Sequence, residues 1–296
     1  MTESTTEHSN EMNQDGRGSY AEVHGLKMYY KIHGEGFPLV LLHGGLSTIG
    51  TSFGKVLLGL ARERQVIAIE QQAHGHTADS DRPLTYEQMA NDTIALLSHL
   101  GIEQADFFGY SIGGGIAMQI AIEHPSLVRK LVVATPISRA SGFQPGVLVG
   151  MEALQPEHLA GSPLQEEYAR TAPHPQDWPR LIAKVKQLNR EFVDWSPEAI
   201  ASIKAPTLLM AGESDIVRPE HVVELFRLLG GGVPGDNVGL PNAQLAVLPG
   251  TTHITLVDRA VWLISMITGF LDAPRPSERP LSVFRCERAM TRHQND

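Results

Sequence analysis

The chain has 296 residues, with 24 Lys and Arg against 33 Asp and Glu and a formal net charge of −9. That acidic balance argues against non-specific binding to nucleic acid or to an anionic membrane, both of which favour basic surfaces, and directs attention to a small-molecule partner. The single cysteine, Cys286, allows neither an intramolecular disulfide nor a cysteine-held metal, which suits a reducing, cytoplasmic compartment.

Residues 1–18 are polar, lack the basic start and apolar run of a secretory signal, and are expected to form a disordered tail. Opening strands are expected near 20–23 and 27–33. The run 38–42 is apolar throughout, as a strand buried on both faces requires, and it ends in HGG. Further apolar strands are expected at 65–69, 105–110, 130–134, 206–211 and 244–248, with helical patterns at 86–100, 112–124 and 220–229. This alternation predicts an α/β fold, a mostly parallel sheet flanked by helices. From 135 to 202 the rhythm changes. The segment carries many prolines, two of the three tryptophans and no strong strand, and predicts a helical cap inserted into a core of 19–134 and 203–271. The piece GGGVPGDNVGLPN, 230–242, follows a helix instead of opening one, so it reads as a long loop and not as a phosphate cradle. The run AVWLISMITGFL is too short to span a bilayer and reads as a packed helix, and 272–296 lose all periodicity and are expected to form a second disordered tail.

Chemistry concentrates where the strand at 105–110 turns into the next helix. Gly109-Tyr110-Ser111-Ile112-Gly113 fits the G-x-S-x-G elbow, in which flanking glycines make room for a strained turn that exposes the serine. The helix N-terminus brings unpaired amides and positive dipole potential to the place where an oxyanion would form. A serine hydroxyl needs a base and the base needs an orienting acid, in chain order Ser, Asp or Glu, His. Asp215 lies in GESDIVRPEH after one strand, and His253 lies in PGTTHITL after the next. Glu213 is the competing acid. Taken singly, Asp215 could be a turn residue and His253 a surface loop residue; the three together favour catalysis. His74 and His76, one residue apart in EQQAHGHT, could ligate a metal, but no third ligand can be assigned, so neither metal nor organic cofactor is expected.

From HGG through GYSIGG, GESD and GTTH the chain resembles an α/β-hydrolase fold protein of the serine esterase or lactonase type, over roughly residues 20–271. That resemblance implies Ser111 as nucleophile, His253 as base and Asp215 as acid. It implies an oxyanion hole at the backbone amides of Ile112 and Gly45, with Leu46 the neighbouring alternative, and a loop-shaping role for His43. Ile112 departs from the methionine common at that position, which leaves its N–H intact. The expected activity is hydrolysis of an ester or lactone of a hydrophobic small molecule through an acyl-enzyme. The chain is also similar to serine-dependent macrolide esterases of this fold, which would place it in antibiotic resistance. Cofactor-free carbon–carbon hydrolases and perhydrolases use the same groups, and non-catalytic receptors share the scaffold. The substrate pocket is expected under the cap, with Leu46, Phe143, Met151, Trp178 and Trp195 in its wall. The competing role for such aromatics is to glue the cap helices to the core. The oligomeric state is left open.

Overall fold

The computed structural model describes residues 18–274, so both expected tails, and Cys286, lie outside the described residues apart from their innermost positions. Eight strands form one sheet: β1 (Gly18–Val23), β2 (Leu26–His33), β3 (Phe37–Leu42), β4 (Arg64–Ile69), β5 (Ala105–Tyr110), β6 (Val128–Ala134), β7 (Thr207–Ser214) and β8 (Ala243–Thr252). Their spatial order is β1-β2-β4-β3-β5-β6-β7-β8. Only β1 and β2 run antiparallel to their neighbours. All pairings from β4 to β8 are parallel.

The central strands are apolar on both sides because both faces are covered. In β3, Val40 and Leu42 enter one core cluster while Leu39 and Leu41 enter the other. Phe107 and Phe108 of β5 divide in the same way, and both are fully buried. This period of two is what a strand sandwiched between helix layers must show. Each such side chain contributes about 1.5–3 kcal/mol by leaving water. The covering helices of the first half are α1 (Ile49–Phe53), α2 (Leu57–Leu60), α3 (Tyr86–His99) and α4 (Ile112–Glu123). The N-terminus of α3 is fixed by Thr85, whose side chain accepts the Gln88 amide.

Between β6 and β7 the described chain forms helices and no strand: α5 (Val147–Ala153), α6 (Pro163–Thr171), α7 (Trp178–Arg190) and α8 (Pro197–Ala201), with short 3-10 turns between them. Proline stands in the first turn of α6, α7 and α8, where its missing N–H costs nothing. The second half closes with α9 (Pro219–Leu228), α10 (Gly235–Val238) and α11 (Ala260–Asp272). The single turn of α10 falls inside the stretch 230–242 expected as pure loop. Its Asn237 and Val238 amides bond back to the Pro234 carbonyl, a local closure that glycine-rich composition conceals. Among the described residues no helix is long and apolar enough to cross a membrane.

The topology brings the C-terminal ends of β3, β5, β7 and β8 to one edge. The turns that leave those strands build the site.

Candidate active site

Ser111 stands between β5 and α4 with φ 54° and ψ −120°, outside the ordinary allowed regions. Such a conformation costs on the order of 1–3 kcal/mol and must be held by its surroundings. Two glycines permit the close packing that holds it. A Cβ on Gly109 would stand 2.2 Å from the Gly113 carbonyl oxygen, and one on Gly113 only 1.9 Å from that of Leu42. The Ser111 amide donates to Ala134 O at 3.0 Å, tying the bend to β6.

His253 follows β8 and Asp215 follows β7. Ser111 Oγ lies 3.1 Å from His253 Nε2, and His253 Nδ1 lies 2.9 Å from Asp215 Oδ1. The carboxylate can only accept, so Nδ1 carries the proton and Nε2 presents its lone pair to the serine hydroxyl. Asp215 is buried and also accepts the Gly212 amide on Oδ2 and the Val217 amide on Oδ1, each at 3.2 Å. Glu213, the alternative acid, is an exposed residue within β7. Tyr110 holds the histidine from behind: its hydroxyl donates to the His253 carbonyl at 3.0 Å. Burial, with Asp215 nearby, pushes the Tyr110 phenol well above its usual range, so that donor persists.

Three consecutive amides after β3 face different fates. Gly44 N–H donates to Ser52 Oγ at 3.4 Å and Leu46 N–H to His74 Nε2 at 3.2 Å. The Gly45 amide between them has no protein acceptor among the described residues, and neither has that of Ile112 at the start of α4. Gly45 and Ile112 are close neighbours, since a Cβ on Gly45 would lie 2.5 Å from Ile112 Cδ1. Both line the same cavity as Ser111 and His253, a space of about 370 Å³.

The cavity is apolar over most of its wall. Leu46, Phe143, Met151 and Leu154 line it, together with one face of α7 formed by Ile182, Val185, Lys186 and Asn189. Tyr86 and Thr135 add hydroxyl-bearing side chains. Thr135 is a β-branched residue held at φ 57°, and its buried Oγ1 has no protein partner among the described residues.

A family model described as the alpha/beta hydrolase family matches residues 39–265. The chain belongs to the alpha/beta hydrolase family. It is 30% identical over 256 residues to a putative carbamate hydrolase, RutD, of Azorhizobium caulinodans, covering 79% of this chain and 91% of that one. It is 28% identical over 258 residues to a 2-hydroxymuconate semialdehyde hydrolase of Pseudomonas sp. strain CF600, covering 80% and 88%. Among solved structures it resembles a serine hydrolase involved in carbazole degradation, with a TM-score of 0.70 at 19% identity and coverage of 86% and 98%, a likeness of fold.

Two residues expected in the wall of this alpha/beta hydrolase's pocket do not line it. Trp178, its ring 5.1 Å from that of Tyr168, is buried in a cap cluster with Tyr168, Leu181 and Ile182, and of these four only Ile182 reaches the cavity. Trp195 packs edge-on against Tyr86 and Phe192 and donates from Nε1 to Gln119 Oε1 at 2.7 Å. Trp195 therefore backs a lining residue, Tyr86, without forming the lining. The aromatic content of the cap is visible in sequence, but which side of each helix faces the cavity is decided by packing. Tyr86, Lys186 and Asn189 also stand in the wall, and their only signal in the sequence is a helical spacing that marks several faces equally.

His74 and His76 are engaged with protein groups. His74 Nδ1–H donates to the Gln72 carbonyl at 2.9 Å while Nε2 accepts from Leu46, and His76 Nδ1 lies 2.9 Å from Glu70 Oε2. His43, expected to shape the loop, accepts the Gln71 amide on Nε2 at 3.0 Å and donates from Nδ1 to Gly44 O at 2.8 Å.

Proposed function

We propose that the protein is a serine hydrolase cleaving a carboxylic ester or lactone of a hydrophobic small molecule through an acyl-enzyme. The observation that carries this is the unbroken chain from Ser111 Oγ to His253 to Asp215, opening on an apolar cavity floored by two uncommitted amides. Ser111 attacks the carbonyl carbon and His253 Nε2 takes its proton. Asp215 keeps the imidazole in the required tautomer and steadies the imidazolium. The Gly45 and Ile112 amides receive the oxyanion, where loss of one donor typically costs about 3–4 kcal/mol. His253 then protonates the leaving alkoxide and activates the water that clears the acyl group. No step in this sequence calls on a metal or organic cofactor.

The cavity bounds the substrate. A volume of about 370 Å³ lies toward the small end of drug-sized sites. Small and medium esters fit under the cap as it stands, whereas a macrolide lactone requires the cap to open. A second reading, carbon–carbon bond hydrolysis with the same three residues, is favoured by the likeness to 2-hydroxymuconate semialdehyde hydrolase. A panel of p-nitrophenyl esters, lactones, macrolides and a dienoate ring-cleavage product, each with the Ser111→Ala control, separates the two. Ester or lactone turnover that depends on Ser111 supports the first. Turnover of the dienoate alone supports the second, and binding without turnover of any of them would leave a receptor.

A further inference from the structure

The turns after β3 and β4 are locked by two histidines acting in opposite directions. His43 accepts an amide of the β4 turn, that of Gln71, and His74 accepts an amide of the β3 turn, that of Leu46. Their ring centroids lie 4.9 Å apart. Each ring donates its other nitrogen to a carbonyl, so both are the neutral Nδ1–H tautomer. Leu46 is left-handed, φ 58°, and so is Ala73 beside His74, φ 67°. Neither conformation is one that a residue with a side chain adopts without an external hold. Around Ala73 backbone supplies part of that hold, the Ala73 amide donating to Ala78 O at 3.3 Å and the His74 amide to Gln71 O at 3.0 Å, whereas the Leu46 amide is held by the His74 ring.

The consequence falls on Gly45. With the amides of Gly44 and Leu46 both committed, the amide between them is the one left for a ligand. Resting on the serine-hydrolase reading above, we propose that His74 is a positioning residue for the oxyanion hole, fixing the β3 turn so that the Gly45 amide stays directed to the oxyanion formed at Ser111. His74 does not line the cavity and belongs to neither the nucleophile nor its base. Its contribution appears only as charge develops on the substrate oxygen, so it raises kcat and leaves ground-state binding almost untouched. Burial pushes the His74 imidazole down to about 4, which keeps Nε2 an acceptor at neutral pH.

The test compares His74→Phe, which keeps a flat ring without an acceptor, with His74→Gln, whose Oε1 reaches the place of Nε2. A p-nitrophenyl ester that the wild type cleaves is the substrate, and phenylboronic acid is the probe of tetrahedral binding. His74→Phe is expected to lower kcat by about tenfold to a hundredfold with KM changed less than threefold, and to weaken phenylboronic acid in proportion. His74→Gln is expected to recover most of kcat. If His74→Phe does not fold, amide hydrogen exchange on the wild type reads the same geometry. Leu46 should be protected in the free protein, and Gly45 should gain protection only with phenylboronic acid bound. A folded His74→Phe protein with wild-type kcat, or a Gly45 amide indifferent to phenylboronic acid, overturns the proposal while leaving the triad intact. A wild type inert to esters and to fluorophosphonate removes the serine-hydrolase reading and the proposal with it.

Discussion

Asp215 and His253 are joined by a 2.9 Å hydrogen bond that decides which nitrogen of the imidazole faces Ser111. An amide in place of the carboxylate can present N–H to Nδ1 and stabilise the other tautomer, leaving Nε2 with a proton and no lone pair. Asp215→Asn is therefore expected to fold normally and to lower kcat by about 10⁴. Glu213→Gln, at an exposed position of β7, is expected to leave kcat within about twofold. Steady-state kinetics on one ester, with circular dichroism as the folding control, checks both.

Two glycine replacements should act with opposite sign. Gly113→Ala drives a methyl group against the Leu42 and His43 carbonyls, backbone atoms that cannot turn aside. It should destabilise the protein by more than the roughly 1–3 kcal/mol typical of overpacking and displace the elbow. Gly150 lies within α5 with nothing within 4 Å of the added methyl. Gly150→Ala should stabilise by about 0.5–1 kcal/mol, since alanine loses less chain entropy in a helix. Urea unfolding midpoints of the two variants give the comparison.

Cap residues should separate stability from selectivity. Trp178→Ala empties a buried cap cluster and is expected to cost about 3–5 kcal/mol while leaving the ratio of kcat/KM between a small and a bulky ester unchanged. Phe143→Ala alters the cavity wall and should shift that ratio. A ratio that moves with Trp178 and not with Phe143 would reverse these assignments.

Stability should fall in mild acid through the two loop histidines. Burial pushes His43, beside His74, down to about 4, and burial likewise pushes His74 down to about 4. Glu70 near His43 and Asp79 near His74 oppose the shifts without cancelling them. Above the unfolded value of about 6.5 both rings are neutral in either state and their contribution is complete. Between that pH and about 4 the unfolded chain binds the protons first, so stability declines by about 1.4 kcal/mol per pH unit for each ring. Unfolding free energies measured from pH 7 to 4 should fall at least this steeply, since burial also pushes His221 down to about 4, and His74→Gln should remove the part owed to one proton.

Much of this architecture is legible in the sequence because its causes are local. The central strands are continuous apolar runs because helices cover both faces, and the elbow is visible because two backbone approaches under 3 Å demand glycine at 109 and 113. The order Ser111, Asp215, His253 is legible because each follows a strand that ends at the same edge. What depends on tertiary contacts is not legible. Asp215 lies deeper than Glu213 in the turn after the strand, yet sequence leaves Glu213 as a competing acid; the two separate because β7 runs on to Ser214 and holds Glu213 at its exposed end while Asp215 reaches His253. Gly45 and Leu46 separate only because His74, far along the chain, takes the Leu46 amide. The tryptophans of the cap mislead because residue type reports burial, while the facing partner decides between pocket wall and cap interior.

The central claim, that Ser111 is a nucleophile activated by His253, is tested most directly by intact-mass measurement after exposure to a fluorophosphonate. The wild type should gain one adduct, with loss of ester turnover in step with its formation, and Ser111→Ala should gain none while remaining folded. An adduct of equal yield on Ser111→Ala, or a wild type that stays unmodified while cleaving esters, would contradict it.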